Sequence, residues 1–73
     1  MTAIVIRNHI YKKMEDYLEN MCAYHATGNK ELFRYYAGKA DACKDILEEV
    51  FSFDEEKASE HIKAMWDIME ENW

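Results

Sequence analysis

Proline is absent from this chain of 73 residues, and glycine occurs only twice. Without those residues, the tight turns of a many-stranded β fold have little to be built from, so the composition points to helices. Two glycines also leave no glycine-rich loop to cradle a phosphate. Two cysteines are too few for a disulfide framework, and with so few a reducing, cytoplasmic location is expected. Long apolar runs are missing as well. The run AIVI at residues 3–6 is far shorter than a signal-peptide core or a membrane span, so neither targeting nor membrane association is expected.

What the chain does have is apolar and acidic. Hydrophobic residues make up 49% and aromatics 14%, enough for one core in a single helical domain over residues 1–73. A chain this short buries only about 60% of its unfolded surface. It therefore needs tight helix packing, a metal or oligomerisation to gain stability. The net charge of −6 is unevenly spread. Residues 1–40 hold six basic and four acidic residues, a net +2, whereas residues 41–73 hold three basic and eleven acidic, a net −8. That acidic half disfavours direct contact with nucleic acid or an anionic membrane, and would steer a basic protein toward itself. The plainer reading of the same charge is a solvated face that keeps the protein in solution.

Three helices follow from the periodicity, at about 3–26, 30–51 and 53–72. In the first, Ile6, Ile10, Met14, Tyr17, Met21 and Tyr24 recur at steps of three and four, and Gly28 supplies a left-handed stop. Thr2 and Asn8 compete as its cap. The β-branched run Ile4-Val5-Ile6 is the one strand candidate, and as a strand it would have to pair with another chain. Asn29 caps the second helix, whose middle is lean at Ala37, Gly38, Ala40 and Ala42. Ser52 followed by Glu55 reads as a capping box for the third, with Ala58, Ile62, Met65, Trp66, Met69 and Trp73 as its apolar face. Short connections make consecutive helices antiparallel, giving an all-α three-helix bundle with an assembled dimer as one option. Mirroring the second hairpin about residue 52 puts Trp66 opposite Gly38 and Cys43 level with His61. Trp73 then closes the end of the bundle over residues 27–29.

No chemistry is legible. Cys22, His25, Cys43 and His61 form the ligand set on paper, but Cys22 and Cys43 sit roughly 13 Å apart along the hairpin axis. One zinc ion or one disulfide does not span that. Cys43 and His61 as a thiol–imidazole pair have no orienting third group, and buried cysteine is more often inert packing. No phosphate loop, serine triad, helical zinc motif or calcium loop occurs. The expectation is therefore no enzyme activity, no metal and no cofactor.

Like-charge pairs are more informative. Asp41–Asp45, Asp45–Glu49, Glu56–Glu60 and Asp67–Glu71 all repel at i,i+4. Their summed cost, with Glu70 and Glu71 at the negative end of a helix dipole, is roughly 1–3 kcal/mol. A partner-binding role and drift on a tolerant surface both account for them. Arg34 and Tyr35 lie beside the core positions Phe33 and Tyr36, and both residue types are frequent binding anchors.

The stretch GNKELFRYYAGKADACKDILEEVF, residues 28–51, resembles small helical proteins encoded by bacteriophages and prophages. The pattern is a G-N/D-x-E turn, an aromatic Y-x-x-G-K and an amphipathic I-L-E-E end, covering about a third of the chain. The resemblance implies an accessory role such as inhibition of a host enzyme or defence complex, as anti-CRISPR proteins do. It carries over no site residues, and the TAIVI start and double-tryptophan tail depart from it.

The expected function is a protein-binding module, an inhibitor or adaptor covering a basic surface. Asp41, Asp45, Glu48, Glu49, Glu60, Asp67 and Glu71 are the expected electrostatic contacts, with Arg34, Tyr35 and Trp73 as anchors. The alternative is a homo-oligomer assembled through apolar helix faces.

Overall fold

A computed structural model describes residues 2–73. Helix α1 spans Ala3–Thr27, α2 spans Lys30–Phe51, a 3-10 turn occupies Glu55–Lys57, and α3 spans Glu60–Asn72. No strand occurs among the described residues, and none of their helices is long and apolar enough to cross a membrane. The TAIVI segment is the cap and first turn of α1, with Thr2 Oγ1 accepting from the Val5 N–H at 3.3 Å. Gly28 ends α1 at φ 75°, where an L side chain would be strained, and the Asn29 N–H closes onto the Tyr24 carbonyl. Asn29 then caps α2 by accepting from the Leu32 N–H at 3.1 Å.

α1 packs on both other helices in an antiparallel bundle 39 Å long. Met14, Leu18 and Met21 of α1, Phe33, Ala37, Ala40 and Leu47 of α2, and Ile62, Met65, Trp66 and Met69 of α3 form one buried core. The third layer is short. His61 near the start of α3 faces Glu19 at 3.7 Å, and Asn72 at its end lies beside Tyr24, Gly28 and Lys30. α3 therefore covers the half of the hairpin nearest the α1–α2 turn. Over the other half the cover is the 52–59 segment, with Phe53 against Tyr11 (ring centroids 5.6 Å) and Ala58 buried. No residue of α1 before Met14 is buried, and Ile4, Val5 and Ile6 stand exposed.

The start of α3 is the main correction to the sequence reading. Ser52 does not cap a helix that begins at residue 53. It takes a left-handed conformation, φ 54°, and ends α2, with the Phe53 N–H donating to the Leu47 carbonyl at 2.9 Å. Burying Phe53 on Tyr11 turns the chain away from the helical path, and Glu55 reaches Lys44 instead of returning to Ser52. Ser59 is the true cap, accepting from the Ile62 N–H at 3.2 Å. Replacing Ser59 by Ala is accordingly expected to cost about 1 kcal/mol of stability. Replacing Ser52 by Gly should add roughly 0.5–1 kcal/mol by relieving the left-handed strain. Urea denaturation followed by circular dichroism reads both, and a loss of that size at Ser52→Gly would contradict the assignment.

A seven-residue delay in the helix start moves every level of α3 relative to α2. The ring of Trp73, not that of Trp66, lies over Gly38, its Cη2 standing 3.4 Å from where a Cβ would be. Trp73 therefore does not close the end of the bundle over residues 27–29; Asn72 lines that end. The level match of Cys43 with His61 is lost too, because His61 is exposed and turned to Glu19 on α1.

Candidate functional site

Lys44 is the buried charge of this protein, 8% exposed. Its position on α2 falls in the core stripe with Ala37, Ala40 and Leu47, which aims the stem inward. The ammonium group sits 4.8 Å from the centroid of the Trp66 ring and gathers three carboxylates: Glu55 at 3.2 Å, Glu70 at 3.8 Å and Glu48 at 3.9 Å. Burial by itself would lower the Lys44 pKa; the hydrogen bond and charge of Glu55, helped by Glu48 and Glu70, outweigh it and hold the group above its ordinary value. For Glu48, burial and the charge of Glu55 push the carboxyl up against the pull of Lys44. One cation thus ties α2, the 3-10 turn and α3 together beneath the acidic surface. The sequence reading passed over it; a basic residue at a core position of α2, four residues before Glu48, was the available signal.

The remaining carboxylates lie outside this knot. Glu60, Asp67 and Glu71 fall in one row on α3, at steps of seven and four, and all are exposed. Asp67 and Glu60 line a shallow polar groove with Glu55, Glu56, Lys63 and Glu70, while Glu70 also borders Asp41 and Trp73. Asp45 and Glu49 continue from Asp41 along α2 as exposed residues. Through Glu70 the structure brings Asp41, Glu60 and Asp67 to adjoining grooves, with Glu71 on the same α3 row, whereas Asp45 and Glu49 stand exposed farther along α2. Glu48 is half-buried and leans into the Lys44 knot.

Two of the three expected anchors join this face. Trp73 is 61% exposed and reaches over Gly38 of α2, bordering Arg34 and Asp41. The glycine beneath makes that possible, since a side chain longer than a methyl group at position 38 would lift the ring. Tyr35 does not belong here. It packs edge-on against Tyr36 at 5.0 Å and carries Lys39 over its ring at 5.4 Å. Tyr36 in turn stacks on Tyr24 at 5.7 Å and meets Tyr17 at 6.3 Å. These contacts place Tyr35 with the α1–α2 surface that α3 leaves open.

The residues considered for metal or thiol chemistry are scattered. Among the described residues no group of three or more histidine, cysteine or carboxylate side chains is arranged to hold a metal ion. Burial raises the pKa of both Cys22 and Cys43, which lowers their thiolate fraction. His25 packs on Phe33 with ring centroids 5.5 Å apart. Comparison with protein-family models, with curated proteins and with solved structures finds no match for this chain.

Proposed function

We propose that this protein is a non-enzymatic binding module, an inhibitor or adaptor that covers a basic surface of another protein. The observation that carries the reading is the exposed indole of Trp73, held on Gly38 within the acidic face formed by α2 and α3. Large aromatic rings anchor interfaces when they are rigid and central, and the charges around them set the partner and the speed of encounter. The partner is a protein whose basic patch serves nucleic acid, such as a nucleic-acid-handling or defence protein. The resemblance of residues 28–51 to phage accessory proteins points the same way.

The test is capture by tagged protein from source cells, with mass spectrometry, for the wild type and for a variant with Glu60, Asp67 and Glu71 all changed to Lys. The expected partner is basic, is retained at about 0.05 M salt and is released at about 0.5 M. The reversed variant should bind it at least ~10-fold more weakly. A partner held equally by both proteins, or held equally at both salt concentrations, overturns the proposal.

A further inference from the structure

α2 carries two apolar stripes, and the core uses one of them. Leu32, Tyr35, Ile46 and Val50 are the exposed large apolar residues of α2. With Lys39 and Ala42 they form a row at steps of three and four along the whole helix, the spacing of a helix–helix seam. Val50 is 68% exposed and Ile46 43%. The row borders the tyrosine cluster, and Lys39 and Lys13 both act on Cys43 at its edge.

The charges along this helix are ordered. Residues 30–39 hold Lys30, Glu31, Arg34 and Lys39, a net +2, and residues 45–51 hold Asp45, Glu48 and Glu49, a net −3. Neither Lys39 nor Asp45 has an ion-pair partner among the described residues. Ala42 lies midway between them, the smallest residue of the row.

We infer that this row is the seat of a second copy of the same chain, joined by a two-fold axis that crosses α2 antiparallel at Ala42. A two-fold interface must be self-complementary, each residue meeting its mirror on the other copy. Reversal about position 42 places Lys39 opposite Asp45 of the second copy, and Asp45 opposite its Lys39. It also places Tyr35 at the level of Glu49 of the second copy, and lays each basic half of α2 along an acidic half. Ile46 enters among Tyr35, Lys39 and Ala42 of the opposite helix, and the small Ala42 lets the axes approach to about 8 Å. A parallel pairing would set like charges against each other. The acidic row on α3 stays free, so the dimer would present two binding faces.

Sedimentation equilibrium of the full chain tests this. The expected result is a monomer–dimer equilibrium with dimer filling between about 1 μM and 1 mM. Lys39→Glu and Asp45→Lys should each weaken association by about 10-fold or more, and the double variant Lys39→Glu/Asp45→Lys should regain it to within roughly 3-fold. Both positions are exposed, so folding is retained, and circular dichroism checks it. A wild-type protein that stays monomeric throughout overturns the inference and leaves the row to some other protein. Weakened single variants without recovery in the double variant overturn the antiparallel pairing. The α3 reversal variant used for partner capture should dimerise like wild type, so the two ideas fail separately.

Discussion

Trp66→Ala is expected to remove about half of the stability of this protein. The side chain is 4% exposed and is packed in the core contributed by all three helices. Truncating a buried tryptophan costs about 3–5 kcal/mol. A domain of this length has roughly 4–11 kcal/mol in total. Loss of the ring also strips Lys44 of the face beneath its ammonium group. The midpoint of thermal unfolding should fall by more than about 12 °C. Trp66→Phe separates two effects. The indole Nε1 is buried with no hydrogen-bond partner among the described residues, an arrangement that costs about 1–3 kcal/mol. Phenylalanine removes that donor but leaves a void of the missing ring, and the two terms oppose. Trp66→Phe should therefore stay within about 1.5 kcal/mol of wild type. Urea denaturation measures both variants, and an alanine variant within about 1 kcal/mol of wild type would contradict the core placement.

The turn between the first two helices was legible because local signals write it, while the start of the first helix stayed open between Thr2 and Asn8. Thr2, Gly28 and Asn29 act within five residues of themselves, and nothing distant competes with them. The third boundary was misread because a distant contact decides it. Ser52 and Glu55 have the spacing of a capping box, yet Phe53 gains more by reaching Tyr11 than the box offers, and Glu55 gains more by reaching Lys44. Local chemistry and tertiary burial conflict there, and burial prevails. That one conflict explains the exchange of the tryptophans. The expected and observed starts of α3 differ by seven residues, which is also the spacing of Trp66 and Trp73, so the second indole arrives where the first was expected. The lean middle of α2 was read correctly as a seat for a large ring. Which ring takes the seat depended on which serine, Ser52 or Ser59, starts the helix, and the local pattern favoured the wrong one. The acidic residues were legible as a group because spacing alone puts Glu60, Asp67 and Glu71 on one row. The Lys44 knot was not, because it joins three segments whose relative placement follows from that same boundary.

The same geometry gives Trp73 the largest expected effect on partner binding. Its ring is mostly exposed, so Trp73→Ala should cost no more than about 1 kcal/mol of folding stability. As the proposed anchor of the acidic face it should cost about 2–4 kcal/mol of binding, a drop of roughly 30- to 1000-fold. Substitutions at Gly38 divide the anchor's position from its presence. A methyl group there meets the Trp73 ring at 3.4 Å, at the near edge of ordinary contact. Gly38→Ala should therefore keep the ring in place, while helix propensity adds about 1 kcal/mol of stability. Gly38→Leu should gain similar propensity but push the ring off α2, leaving a stable bundle with a misplaced anchor. Affinity for the captured partner, measured by titration calorimetry, is expected to rank wild type and Gly38→Ala together, and well above Gly38→Leu and Trp73→Ala. If Gly38→Leu binds like wild type while Trp73→Ala does not, the partner reads the indole in some other position. If both bind like wild type, the acidic row alone holds the partner.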